Sequence, residues 1–449
     1  MSALLVGLLT GGLCAAVSTP AGARPEPRGQ KATLSARLAP PVVTVGEPTA
    51  VVSQLSPAQA GRPLTVQRRM HGAWTTVADA RSKGSGRTVV AVDTSIGGAQ
   101  VLRVVAPAWE GEPRVVARRV TLQVAAPDDC TPKVALVDAA ATTAARCLAA
   151  RLDHWHSAGL MGVGQQLNVS NEQFLDPLTR LGKRRVAVVG FDLQELAQGE
   201  TYHFATPPVE ALATLASQGA VLTASWHTTN PHTGLTSGDT SWHAVSDLFD
   251  PTTPEYAAFW ADADAKIELL RQLQDAGVAV VLRPFHEANG PWFWWGGATP
   301  GQYRRLYSML QQRAWSAGVH NVVWAYSFNA RTSTEISDPV PMVPDAVDLG
   351  GIDSYWPASG SHRSQAPSMA GYGAVAETVP RMAFTEVGPY ADAERSWSPA
   401  VVTATARAQS RRPVWALLWF DDPAGYKQIS SLKGGLAWLD SCAFGYCQL

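Results

Sequence analysis

Two textures of hydrophobic and polar positions divide the chain. From Lys31 to about Ala125, apolar and polar residues alternate in runs such as Leu64-Thr-Val66-Gln-Arg68 and Val101-Leu-Arg-Val-Val105. Gly- and Pro-rich breaks separate these runs at fairly regular spacing. Strand side chains alternate between faces, so the pattern predicts a small all-β sandwich over 31–125. After Cys130 the pattern changes to short apolar runs separated by helical periodicity. The candidate strands are Leu160–Val163, Val186–Val189, Val221–Ala224, Val278–Leu282, Val322–Tyr326, Leu349–Ile352, Met382–Phe384 and Ala416–Leu418. Between them, Tyr303, Leu306, Tyr307, Leu310 and Ala314 share one helical face that stops at Gly318, and Pro254 suits the first turn of a helix ending near Gly277. Eight such units over 131–449 predict an α/β chain whose main domain is a (β/α)8 TIM barrel. A doubly wound open sheet is the main rival, but no Gly-rich phosphate loop follows any strand.

The N-terminus adds an export signal. Ala3 to Val17 is a short apolar stretch, followed by the A-x-A pattern Ala21-Gly22-Ala23. Residues 1–23 therefore read as a signal peptide, too short for a membrane span, and the expected location is secreted and extracellular. Residues 24–30 and 126–130 read as linkers. Cys130, Cys147, Cys442 and Cys447 remain after the signal, and an even count in an exported chain suggests two disulfides. Of the three pairings, the sequence-local one, Cys130–Cys147 with Cys442–Cys447, is preferred because each would staple one end of the large domain. Neither pair has C-x-x-C spacing, which argues against zinc. The net charge of −1 in 449 residues gives no electrostatic reason to expect nucleic acid or an anionic membrane as partner.

Chemistry gathers at the predicted strand ends, the face where barrels of this kind carry their active sites. The second strand ends in Gly190-Phe-Asp192, and the third runs into Ser225-Trp-His227-Thr-Thr-Asn230. The fourth gives Arg283, His286, Glu287 and Asn289, then Trp292-Phe-Trp-Trp295. The sixth gives Asp353-Ser-Tyr355-Trp356, the seventh Glu386 and the eighth Trp419. Glu287 and Glu386 are 99 residues apart, three βα units, which sets them across the barrel mouth on strands four and seven. Two facing carboxyl groups suit glycosidic bond cleavage, one protonating the leaving oxygen while the other attacks the anomeric carbon. An ionised Glu386 nearby would raise the pKa of Glu287 and keep it an acid. Trp294 and Trp295 fit either loop core or sugar-binding walls, Arg283 could be a supporting ion pair, and Asn230 a turn-former before Pro231. His227 and His232 with Glu287 could be read as a metal set, but this chemistry needs no metal and no cofactor.

The run R-P-F-H-E-A-N-G-P-W-F-W-W-G at Arg283–Gly296 resembles the acid/base segment of glycoside hydrolase family 26, a clan A family best known for β-mannanases. The resemblance extends to Val188–Asp192, Ser225–Pro231, Gly351–Trp356 and Phe384–Gly388, and covers about 155–425. It implies a retaining (β/α)8 enzyme with Glu287 as acid/base and Glu386 as nucleophile. It further implies that His286 orients the nucleophile side or a sugar hydroxyl, and that Tyr355 hydrogen-bonds the nucleophile. Arg283, His227, Asn230 and Asp353 match positions that shape the −1 subsite, and Trp292 and Trp419 look like sugar platforms. Gly164-Gln165-Gln166, where many members show Gly-His-Gln, and Pro291 depart from the pattern. The expected activity is mannan endo-1,4-β-mannosidase, acting as a monomer on a β-mannan polysaccharide. The alternatives are a β-1,3-1,4-glucanase or β-1,3-xylanase of the same family, a non-catalytic polysaccharide-binding barrel, and a cell-wall adhesion protein. The motifs T-V-G-E-P, A-G-R-P-L-T-V-Q-R-R and G-A-W-T-T-V resemble immunoglobulin-like or fibronectin-like modules of secreted enzymes. With only Trp74 and Trp109 as indoles, that module reads as a spacer rather than a carbohydrate binder.

Overall fold

The computed structural model describes residues 31–39, 41–44, 47–70, 72–94, 98–125, 130–168, 174–198, 204, 206–356, 366–390, 392–442 and 445–449. The signal read at 1–23, the linker at 24–30 and the boundary residues 126–129 lie outside these. In the N-terminal part, strands Thr33–Ala39, Thr49–Ser56 and Arg87–Val92 form one antiparallel sheet. A second sheet runs in the order Val42–Thr44, Val120–Ala125, Gly98–Ala106, Pro63–Met70, Ala73–Arg81. Alternate residues of the two sheets, among them Leu34, Val51, Leu55 and Val90 against Leu64, Val66, Leu102 and Leu122, close a common core. This is the sandwich that period-two alternation requires.

The remaining chain is the closed parallel barrel. Its strands are β1 (Leu160–Gln166), β2 (Val188–Asp192), β3 (Val221–Trp226), β4 (Val280–Pro284), β5 (Val322–Asn329), β6 (Leu349–Trp356), β7 (Met382–Pro389) and β8 (Trp415–Leu418). Each pairs in parallel with the next, and β1 pairs with both β2 and β8, which closes the ring. A short last strand, Tyr446–Gln448, lies antiparallel to the start of β1. Several strands run further than the apolar runs that predicted them, β5 by three residues and β7 by five. Ladder hydrogen bonds continue through polar residues, so hydropathy marks only the apolar part of a strand. The helix Pro254–Asp275 is capped by the Thr253 hydroxyl, and Pro300–Ser316 opens with a full Thr299/Gln302 capping box. The latter buries Tyr303, Leu306, Tyr307, Leu310 and Ala314 as its periodicity demands. Disulfides join Cys130 to Cys147 and Cys442 to Cys447. Among the described residues, no helix is long and apolar enough to cross a membrane.

Strand alternation splits the barrel residues into two cores and thereby builds the site. Val280, Leu282, Val322, Trp324, Tyr326, Ile352, Phe384 and Leu418 pack outward with the helices. Val281, Val323, Ala325, Leu349, Ala383 and Leu417 form a separate cluster inside the barrel. Continuing the inward parity toward the strand C-termini changes its chemistry, to Arg283 on β4, Ser327 and Asn329 on β5, Asp353 and Tyr355 on β6 and Thr385 on β7. The barrel interior is therefore apolar below and polar above. The register between β6 and β7 steps from Ile352–Phe384 to Asp353–Glu386, leaving Thr385 as an extra residue. This bulge lets two successive side chains, Thr385 and Glu386, face inward. Gly351 lies opposite, where an added Cβ would sit 2.2 Å from the Thr385 methyl group.

Candidate active site

The inward residues at the strand ends form one connected floor. Ser327 Oγ donates to Asp353 Oδ2 at 2.8 Å and lies 2.7 Å from Thr385 Oγ1. The fully buried Arg283 guanidinium reaches Asp353 at 3.4 Å and makes a close ion pair with Glu386 Oε1. Tyr355 donates its hydroxyl to the other Glu386 oxygen at 2.5 Å. Both Glu386 oxygens thus accept hydrogen bonds from groups fixed on other strands, Arg283 on β4 and Tyr355 on the neighbouring β6. Burial alone would lower the Arg283 pKa, but the Glu386 and Asp353 carboxyls beside it raise it above the ordinary value. Burial and the Glu386 charge push Asp353 well above the carboxylate range, against the pull of Arg283.

Glu287 stands just beyond β4 in a strained turn. Phe285 and Glu287 both have positive φ, 50° and 55°, a conformation that ordinary residues adopt at some cost. The Glu287 backbone N–H is fastened to Ser327 O at 2.9 Å, and Gly290 N–H returns to Glu287 O at 2.8 Å. Asn329 Nδ2 donates to Glu287 Oε1 at 2.8 Å and Trp292 Nε1 to Oε2 at 2.6 Å. Burial first, then the negative charge of Glu386, raises the Glu287 pKa to about 7. The two hydrogen bonds and Arg283 oppose that rise without cancelling it. A proton is therefore held on Glu287 at the acid side of neutrality and is available for transfer.

Histidines line the β3 and β4 side. His227 Nδ1 lies 2.7 Å from Asp192 Oδ2, which also accepts from Ser225 Oγ at 2.7 Å. Burial disfavours the charged imidazole, yet the Asp192 charge and hydrogen bond outweigh it and raise the His227 pKa. His286 packs edge-on against His227 with centroids 4.5 Å apart. Burial, followed by the His227 and Arg283 charges, drives the His286 pKa well down, so the ring stays neutral. Trp419, half-buried, packs edge-on to His227 at 6.0 Å.

The structure brings Glu287, Glu386, Arg283, His286, Asp353, Tyr355, His227, Trp292 and Trp419 to one mouth. Asn230 does not join them. Its amide donates to Asp239 O at 2.8 Å and its carbonyl accepts from the His232 and Thr233 backbone, so it shapes its own loop. Trp294 and Trp295 are fully buried, their indoles donating to Thr228 O and His286 O, which makes them loop core. His232 pairs with Glu255 rather than with His227. Among the described residues, no group of three His, Cys, Asp or Glu is placed to hold a metal ion. Asn329, Ser327 and Thr385 were missed by sequence reasoning. The available signal was the polar end Ser327-Phe-Asn329 of the fifth strand, lost because the apolar run stops at Tyr326.

The family model described as Glycosyl hydrolase family 26 matches residues 137–434, well over half of the chain. A mannan endo-1,4-beta-mannosidase from Thermothelomyces thermophilus is 28% identical over 203 residues, 42% of this chain and 41% of that protein. One from Bacillus subtilis is 27% identical over 219 residues, 45% of this chain and 57% of that protein. The matches thus span only about two-fifths to three-fifths of these relatives. Among solved structures, a Cellulomonas fimi endo-beta-1,4-mannanase double mutant superposes with a TM-score of 0.55 at 26% identity. It covers 68% of this chain and 74% of its own.

Proposed function

The chain belongs to glycosyl hydrolase family 26, and on that premise we propose that it is a secreted, monomeric, endo-acting β-1,4-mannanase that works with retention. The observation that carries the proposal is the unequal treatment of two carboxyls at one barrel mouth. Glu287 is raised to about 7 by burial and by the charge of Glu386, while Glu386 is gripped by Arg283 and Tyr355. In the first step a Glu386 oxygen bonds to the anomeric carbon as the glycosidic C–O bond breaks, and the Glu287 proton passes to the departing oxygen. In the second step a water attacks the same carbon, gives its proton to Glu287 and releases Glu386. Arg283 and Tyr355 hold the nucleophile in line throughout, and neutral His286 with Trp419 faces the sugar at the cleavage point. The mannan substrate is supported by the names of the relatives and of the solved neighbour. Export is supported by the signal-like N-terminus together with two disulfides.

The test is reducing-sugar release from mannan, glucomannan, lichenan and β-1,3-xylan by wild type, Glu287→Ala and Glu386→Ala, with the anomer of the first product read by proton NMR. Activity on the mannans, a β first product and near-abolition in both variants are expected. Full activity of Glu386→Ala would overturn the mechanism. A preference for lichenan would replace mannan by mixed-linkage glucan and leave the carboxylate roles standing.

A further inference from the structure

The net charge of −1 conceals a split. Residues 31–125 carry 12 Lys and Arg against 5 Asp and Glu, a net of +7, whereas residues 131–449 carry 22 against 29, a net of −7. Part of this positive charge lies on the outer face of the second sandwich sheet, which also carries Asp79 opposite Thr65. Trp74 and Arg69 are directly opposed across neighbouring strands, as are Gln67 and Arg103, so all four side chains share that face. The Arg103 guanidinium lies over the Trp74 ring at 4.1 Å, and Arg119 lies 5.4 Å from the same ring centroid. Gln67 Oε1 accepts from Arg103 Nε at 2.8 Å. Burial, then the nearby Arg114 and Arg119 charges, lower the Arg103 pKa.

Among the described residues, none of Arg69, Arg103, Arg114 and Arg119 forms an ion pair with a carboxylate. Some basic residues of the barrel are paired, Arg313 with Asp264, Arg184 with Asp440 and Arg381 with Asp153. None of the four lines the cleft between sandwich and barrel, where Glu47, Asp93 and Thr94 face Arg185 and Tyr446. We infer that this face of the sandwich binds a polysaccharide bearing carboxylate groups. Planar guanidinium forks fit carboxylates through paired hydrogen bonds. Arg103 and Arg119 adjoin the paired residues Leu102 and Val120, and strands so paired lie ~4.8 Å apart, a spacing comparable with one sugar of an extended chain. Gln67 and Thr76, linked across the strands at 3.5 Å, offer hydroxyl partners between them. A single-stranded nucleic acid is disfavoured because Arg103 covers the indole on which a base would stack. The sandwich thus holds the enzyme on an acidic polymer while the barrel cuts a neutral one.

The experiment is electrophoresis of the full chain through native gels containing polygalacturonate, with gels containing DNA and binding to phosphatidylglycerol vesicles as separate arms. Wild type is expected to be retarded by polygalacturonate in a salt-sensitive way, with DNA and vesicles bound more weakly at the same ionic strength. Arg103→Gln/Arg119→Gln and the exposed Arg114→Gln should weaken retardation, the double variant at least tenfold. Arg37→Gln/Lys83→Gln, which removes equal charge outside this face, should retain it. All variants should hydrolyse soluble substrate as wild type does. Undiminished binding by the double variant, an equal loss in the charge-matched control, or tighter binding to DNA or vesicles would overturn the inference.

Discussion

Replacing Asn329 by Ala tests how the structure sets the acidity of Glu287. The Asn329 amide donates to Glu287 Oε1 at 2.8 Å, and Trp292 donates to Oε2 at 2.6 Å. Both bonds favour the ionised carboxylate and oppose the upward push of burial and of Glu386. A hydrogen bond to a charged group contributes roughly 1.5–3 kcal/mol, part of which water entering the vacated space would restore. A net loss of about 1.4 kcal/mol corresponds to about one pH unit. The alkaline limb of kcat/KM, controlled by the general acid, should therefore move from near 7 to about 8. The Asn329 backbone N–H, bound to Asn289 Oδ1 at 2.9 Å, is untouched, so the strand end should survive. The assay is initial-rate kcat/KM on soluble galactomannan across the neutral range, with Trp292→Phe as a companion that should shift the limb the same way. An alkaline limb that stays in place or moves down would refute the electrostatic account.

Two further outcomes follow from the same geometry. A glutamate whose pKa rises on folding stabilises the fold below its unfolded value, and that stability is lost as pH climbs through the folded value. For Glu287, a rise from 4.5 to about 7 corresponds to ~3 kcal/mol, so Glu287→Gln should be more stable than wild type at pH about 8 and little changed at about 4. Urea unfolding at the two pH values measures this, and equal differences at both would contradict it. Gly351→Ala forces a Cβ to within 2.2 Å of the Thr385 methyl group and 2.4 Å of its hydroxyl. It should cost ~1–3 kcal/mol and displace the Thr385–Ser327 contact, read as a lowered Tm with reduced kcat. An unchanged Tm would show that Thr385 yields without resistance.

Much of this molecule was legible in its sequence, for definable reasons. Eight apolar runs sufficed for the barrel because a buried parallel strand must be apolar on both faces. Glu287 and Glu386 stood out because carboxyls at strand ends have no packing role. Asn329 stayed hidden because the strand reading stopped with hydrophobicity, although backbone pairing continues three residues further. Asn230 carried the right residue type for sugar binding, but its amide belongs to a turn, a matter of local backbone geometry that composition does not report. The positive φ values of Phe285 and Glu287 were equally out of reach, since neither residue favours that conformation. They are imposed by the contacts of Glu287 N–H with Ser327 and of Trp295 with His286.

The extra residue in β7 has a consequence for anyone grafting this chemistry onto another scaffold. Strict two-residue alternation from Phe384 would send Glu386 toward the surrounding helices and Val387 into the cavity, whereas Val387 packs with the helix-facing core. An idealised barrel given both glutamates at the corresponding strand positions would carry the right letters with one of them facing the wrong way. The transferable unit is therefore the pair of strands Leu349–Trp356 and Met382–Pro389 with their offset register and Gly351, rather than a carboxylate alone.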